Sequence, residues 1–298
     1  MSEKLLNGIV PAVITPLNES GNVDLALFEK QITYLSEMGV HGFFISGTTG
    51  EGPYLSQEES VEIFKVARRL KKSKQFLCAA CIMPSTEQTI QEIRYFEKLE
   101  PDFTVAVAPF YYSVSQESLV EHFNRIASSS PVPVIVYNIP QRTHNKIEYD
   151  TVIQLSNNKN IAGIKDSSGD FVTFSRWCYS NLPGRFSVVQ GEDYLDAPSL
   201  IIGAGGIVTG LGNVWIEPYI EMWNAMKRGD WNRVRQMQSA INKLYDIIVV
   251  AGGKVLPAIK AACYLLGRST IFTKIEGEKI EKETLKKIEF VLKDLKLL

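Results

Sequence analysis

The chain has 298 residues, 45% hydrophobic and 22% charged, and reads as an ordinary soluble globular protein with apolar residues enough for one large domain or two smaller ones. Thirty-two Lys and Arg against thirty-three Asp and Glu leave a formal charge of −1, so no global field favours nucleic acid or a membrane surface, and a small ligand recognised locally fits better. Residues 1–7 contain no signal-peptide apolar core, and no stretch approaches the ~18 uninterrupted apolar residues of a membrane span. A cytoplasmic location is expected.

Gly8 to Ile14 is an apolar, β-branched run and predicts a first strand. A second, Gly42 to Ile45, ends in Ser46-Gly47-Thr48-Thr49-Gly50-Glu51. The hydroxyls and closely approachable amides there suit a carboxylate, although a glycine-rich turn that caps its own backbone has the same composition. Ser56 and Glu59 form a capping box before Val61, Ile63, Phe64 and Ala67, a helical face. Phe76 to Ala80 predicts the third strand. Cys78 and Cys81 have CxxC spacing, but no second CxxC completes a zinc site, and a cysteine in an apolar run reads as a small core residue. With Cys178 and Cys263 they are too few and too scattered for a disulfide framework.

Ile90, Ile93, Phe96 and Leu99 recur at helical steps before the fourth strand, Phe103 to Val107, which runs into Ala108-Pro109-Phe110-Tyr111-Tyr112. The fifth, Val132 to Tyr137, continues into Asn138-Ile139-Pro140-Gln141-Arg142-Thr143. A tyrosine closing a strand is either an amphipathic rim residue or a proton shuttle, and Arg142 is either a surface arginine in a turn or a fork for a carboxylate. Ile161 to Lys165 is the sixth strand. A lysine closing a strand can snorkel its ammonium into water, yet a desolvated amine is a nucleophile towards carbonyl carbon. Phe186 to Gln190 and Gly206 to Val208 complete eight strands. Beyond Asp230, Trp231, Val234, Met237, Ile241, Leu244 and Ile248 mark one helical face, and Leu285, Ile288, Leu292 and Leu295 another. His41, His122 and His144 are far apart, read as loop or surface positions, and suggest no metal site.

Strands alternating with helices imply parallel pairing through right-handed crossovers. Eight units in one run predict a closed (β/α)8 TIM barrel over residues 1–228, with residues 229–298 as a C-terminal helical extension packed on it. An open doubly wound sheet would need a nucleotide signature, but Gly47 to Gly52 lacks the GxGxxG spacing and the run from Gly203 ends on Val208 in place of glycine. In a barrel the chemistry sits at the C-terminal strand ends, where a lysine, a tyrosine and two threonines can meet.

GTTGEGP, YNIPQRT, GIKDSSGD and GGIVTGLGN, in this order, closely resemble the motif set of the dihydrodipicolinate synthase and N-acetylneuraminate lyase family of class I, Schiff-base-forming lyases. The resemblance runs from about residue 6 to residue 265 and rests on no single short pattern. It implies that Lys165 forms an imine with the keto carbon of pyruvate or a pyruvate-derived substrate, that Tyr137 is the general acid and base, and that Thr49 and Tyr111 complete a hydroxyl relay. It further implies that Thr48 and Thr49 hold the pyruvyl carboxylate, and that Gly191 and Val208 line the pocket through backbone groups. In such enzymes the tyrosine matching Tyr111 works at a contact between subunits, so a homotetramer built as a dimer of dimers is implied, with no metal or organic cofactor.

Arg142 matches the arginine that holds aspartate semialdehyde in the synthases, which makes condensation of pyruvate with that aldehyde, a 4-hydroxy-tetrahydrodipicolinate synthase activity, the first expectation. Gly52-Pro53 and the run from Val208 to Asn213 look more like aldolases of 2-keto-3-deoxy sugar acids. His144 stands where glycine is common, and the Arg-Pro-rich segment usual in the synthases is absent around Phe272 to Gly277. A 2-keto-3-deoxygluconate aldolase, an N-acetylneuraminate lyase-like enzyme and a catalytically silent keto-acid-binding barrel therefore stay open, although the joint presence of Thr49, Tyr111, Tyr137 and Lys165 argues against silence. Gly52, Gln57, Ser60, Pro84, Gln88 and Phe110 occupy the positions of the lysine-inhibitor site without its usual histidines, Asn or Tyr, which argues against feedback inhibition.

Overall fold

Eight strands and thirteen α-helices follow one another in a computed structural model that describes residues 6–298; the N-terminal residues 1–5, read above for a signal sequence, lie outside the described residues. The first half contains β1 (Gly8–Pro11), α1 (Leu25–Glu37), β2 (Gly42–Ile45), α2 (Gln57–Leu70), β3 (Phe76–Cys81), α3 (Thr86–Glu97), β4 (Phe103–Val107), α4 (Gln116–Ser129) and β5 (Val134–Asn138). Next come α5 (Pro140–Thr143), α6 (Tyr149–Leu155), β6 (Ile161–Asp166), α7 (Phe171–Tyr179), β7 (Ser187–Gln190), α8 (Asp196–Ile201), β8 (Gly206–Thr209) and α9 (Glu217–Arg228). The chain ends in α10 (Trp231–Leu244), α11 (Asp246–Val250), α12 (Val255–Leu265) and α13 (Lys282–Asp294).

All strand pairs are parallel, each strand beside its sequence neighbour and β1 beside β8. Closure between β1 and β2 is made by a bridge of Ala12 with Phe44 and by His41 N donating to Ile9 O at 2.9 Å. The predicted (β/α)8 barrel is therefore the architecture of the chain, followed by C-terminal helices. The first strand is shorter than its apolar run: β1 stops at Pro11, and only the Ala12 bridge prolongs it.

Strand residues alternate between two cores, because successive side chains point to opposite faces. Val10, Phe44, Cys78, Val105, Ile135, Tyr137, Val189 and Val208 fill the barrel interior. Ile9, Phe43, Leu77, Ala106, Val136, Ile164 and Ile207 pack outward with helical residues such as Phe28, Phe64 and Phe123. Cys78 faces in and Cys81 faces out, so the CxxC spacing places the two thiols on opposite sides of β3. Burial pushes both thiols up from the usual cysteine range.

The capping box at the start of α2 forms as read, with Ser56 Oγ accepting from Glu59 N at 3.2 Å and Glu59 Oε2 accepting from Ser56 N at 2.8 Å. Helix α3 ends at Glu97, before Leu99, which packs from the following turn. Two expectations are corrected. His122 is neither loop nor surface: it is buried in α4, with Nδ1 2.8 Å from Thr86 Oγ1 and Nε2 3.0 Å from Val107 O. Because a carbonyl can only accept, Nε2 carries the proton of a neutral ring, and burial pulls the imidazole down to about 4. Trp231 lies 55% exposed at the first position of α10, while Val234, Ile241 and Leu244 of the same face are buried.

The C-terminal helices are tied to the barrel by polar as well as apolar contacts. Arg268, buried after α12, donates to Gln31 Oε1, Asn213 O and Val214 O at 2.6–2.9 Å. No single helix among the described residues is long and apolar enough to cross a membrane. One bent pair, residues 231–250 with 255–265 at 107°, passes by length and composition alone, and α12 buries Leu256 through Cys263 within the fold.

Candidate active site

Register brings the central residues together. Val107 pairs with Tyr137, Tyr137 with Lys165, and Lys165 with Val189, so four consecutive strands place these residues in one layer. Three of them belong to the interior core, and the lysine shares their face. Lys165 is 5% exposed, and its Nζ stands 4.1 Å from the centroid of the Tyr137 ring and 4.5 Å from that of Phe44. Those rings meet edge to face at 6.0 Å, which fixes a two-walled aromatic seat for the amine. Among the described residues no carboxylate makes an ion pair with Lys165. The other buried lysine, Lys260, contrasts with it, since Glu51 Oε1 lies 2.5 Å from its Nζ.

The chain around Lys165 has no room to spare. A Cβ on Gly191 would stand 2.9 Å from Lys165 Cε and 3.0 Å from Asp166 O, so only glycine lets β7 pass the lysine stem this closely. Gly191 N donates to Asp166 O at 2.8 Å, and its carbonyl accepts from Ser167 Oγ at 3.2 Å. Val208 is buried in the interior wall, two residues past Gly206, the partner of Val189. On the outer face Asn138 Nδ2 donates to Asp166 Oδ1 at 2.6 Å and Ser168 Oγ to Oδ2 at 2.9 Å, clamping the ends of β5 and β6 beside Tyr137 and Lys165. Burial pushes the Asp166 carboxyl up to about 6.

Thr48 and Thr49 are half-buried in the turn after β2. Thr49 lies at the end of β8, where a Cβ on Gly210 would be 3.2 Å from Thr49 Oγ1 and 3.3 Å from Ile259 Cδ1 of α12. Tyr111 is elsewhere: it is 81% exposed, in the left-handed region at φ 85°, and meets Tyr112 edge to face at 5.0 Å. Its loop is held by Asn145, whose Nδ2 donates to Pro109 O and Tyr112 O at 2.8 Å and whose Oδ1 accepts from Val114 N at 2.9 Å. Among the described residues no hydrogen bond joins Thr49, Tyr111 and Tyr137. Arg142 is exposed on α5 and has no ion-pair partner among the described residues.

Sequence reasoning overlooked Phe44, Asn145 and Asp193. Asp193 follows β7 and is half-buried, accepting from Thr209 Oγ1 at 2.6 Å and Tyr219 OH at 2.7 Å. Burial raises its carboxyl, while these two donors and the Lys165 charge oppose the rise. The strand-end rule that selected Lys165, applied to the seventh strand, would have selected Asp193 too. Among the described residues no three His, Cys, Asp or Glu side chains gather as a metal-holding group. Chemically, the layer offers a buried amine, with no ion-paired carboxylate among the described residues, beside a phenol at the C-terminal ends of the barrel strands.

Residues 5–293 match the model of the dihydrodipicolinate synthetase family. The 4-hydroxy-tetrahydrodipicolinate synthase of Archaeoglobus fulgidus is 29% identical over 99% of this chain and 100% of that protein. The synthase of the same name from Microcystis aeruginosa is 32% identical over 90% of each chain. Among solved structures, the 4-hydroxy-tetrahydrodipicolinate synthase of Methylacidiphilum fumariolicum SolV superposes with a TM-score of 0.90 at 30% identity, over 98% of this chain and 96% of that one. The chain belongs to the dihydrodipicolinate synthetase family.

Proposed function

We propose, with that family membership as premise, that the chain condenses pyruvate with aspartate semialdehyde through an imine on Lys165. One observation carries the reading: the Lys165 amine is buried on the Tyr137 and Phe44 rings, and no carboxylate among the described residues lies within ion-pair distance of it. The names of the relatives, 4-hydroxy-tetrahydrodipicolinate synthases, supply the product class. Lys165 Nζ attacks C2 of pyruvate, the former carbonyl oxygen leaves as water with protons delivered by way of Tyr137, and a protonated imine remains. That cation draws electrons from C3, a C3 proton leaves, and the enamine formed attacks the aldehyde carbon as its oxygen takes up a proton. Thr48 and Thr49 would hold the pyruvyl carboxylate through hydroxyl and amide groups.

Arg142 separates this reading from cleavage of sugar-derived keto acids. A charged hydrogen bond to the semialdehyde carboxylate contributes ~1.5–3 kcal/mol, with the lower end fitting an exposed guanidinium. Arg142→Ala is expected to raise KM for aspartate semialdehyde ~10-fold and to leave formation of the pyruvate imine unchanged. A neutral departing aldehyde would lose much less. Wild-type enzyme that cleaves 2-keto-3-deoxygluconate and ignores aspartate semialdehyde would replace the synthase reading with the aldolase.

Tyr111 belongs to the same proposal through a second copy of the chain. Its exposure, its left-handed backbone and its lack of a hydrogen bond among the described residues fit a residue whose partners come from a neighbour. A tetramer of two dimers is the expected assembly. Sedimentation at assay concentration checks it, and an active monomer removes this role for Tyr111.

A further inference from the structure

We propose that the buried Glu51–Lys260 ion pair positions the loop bearing Thr48 and Thr49, so that the C-terminal helices help to set affinity for pyruvate. This rests on the reading above that the loop holds the pyruvyl carboxylate. The ion pair lies outside the layer of Lys165 and Tyr137, and no step of the proposed condensation uses it.

The loop needs external support. Ser46 and Glu51, which bracket Gly47 to Gly50, both have left-handed backbones, at φ 57° and 60°, a conformation that costs a non-glycine residue energy and persists only where surroundings enforce it. The enforcement comes from far along the chain. Glu51 and Lys260 side chains are both 0% exposed and 2.5 Å apart. Lys260 Nζ also donates to Thr15 O at 2.8 Å, and Thr15 Oγ1 donates to Gly50 O at 2.7 Å. Glu51 Oε2 accepts from the backbone N of Lys274 at 2.5 Å, whose own ammonium pairs with Glu59 of α2 at 2.9 Å. The neighbouring residue of α12, Ile259, lies beside Gly210, against which Thr49 rests. Three distant segments thus converge on the turn after β2.

A buried ion pair is a poor source of net stability, because desolvation of both charges offsets their attraction. What this one supplies is geometry: both oxygens of Glu51 are bonded, each to a different part of the C-terminal segment. A displacement of about 1 Å in a substrate-holding group is enough to cost ~10²-fold in rate or binding.

The test is borohydride trapping of the pyruvate adduct as a function of pyruvate concentration, with melting temperature recorded alongside. Glu51→Gln keeps the side-chain shape and removes the charge; Glu51→Gln/Lys260→Met leaves no unpaired charge buried and is the variant to use if the single one does not fold. In the folded variants, half-saturation by pyruvate is expected to rise at least ~10-fold, while trapping at saturating pyruvate stays within about threefold of wild type. A merely structural role would lower the melting temperature and leave half-saturation where it was, and that result overturns the inference. Absence of any adduct in wild-type enzyme would instead overturn the functional reading on which it rests.

Discussion

Borohydride reduction in the presence of pyruvate is expected to fix a pyruvyl adduct on Lys165 and on no other lysine. Among the described residues Lys165 is the buried lysine with no ion-paired carboxylate, whereas the fully buried Lys260 is held by Glu51 and Thr15 O. Lys165→Met keeps the apolar stem against Phe44 and Gly191 and removes the amine, so the fold should persist while turnover falls ~10⁴- to 10⁶-fold, as on removal of a covalent nucleophile. Peptide mapping by mass spectrometry locates the adduct, and steady-state rates measure the loss. An adduct on a different lysine, or appreciable turnover by the folded Lys165→Met variant, would remove the imine mechanism.

Tyr137→Phe should give the second-largest effect. The phenylalanine ring keeps the edge-to-face contact with Phe44 and the face presented to Lys165, so melting temperature should hardly change. Loss of the phenol removes the only hydroxyl in the layer formed by Val107, Tyr137, Lys165 and Val189. Turnover should fall ~10²- to 10⁴-fold, the range of a general acid or base. The adduct on Lys165 should still form, more slowly. Turnover within a factor of two of wild type would refute the role given to Tyr137.

The contrast between Lys165 and Lys260 shows where reading the chain stops. Lys165 was legible because it ends a short β-branched run, and in a parallel barrel the end of a run is a place in space. Lys260 sits in the apolar stretch Val255 to Leu265 and reads as one charge on a core helix; its partner lies 209 residues away. His122 failed for the same reason, its burial being decided by Thr86 and Val107 on neighbouring elements. Trp231 failed differently. As the first residue of α10, directly after the capping Asp230, it shares the spacing of Val234 and Ile241 but has no element over it.

Sequence alone determined the eight alternating strands, their parallel closure and the strand ends that carry Lys165, Tyr137, Thr49 and Arg142, because hydrophobic periodicity and turn chemistry are properties of residues adjacent in the chain. Tertiary structure alone decided that Tyr137 and Lys165 share a layer with Phe44 beneath them, that Tyr111 is left exposed beside Tyr112, and that α12 reaches back to hold the turn after β2. Register and long-range pairing follow from barrel closure and from desolvation of specific partners, and neither leaves a local pattern in the order of residues.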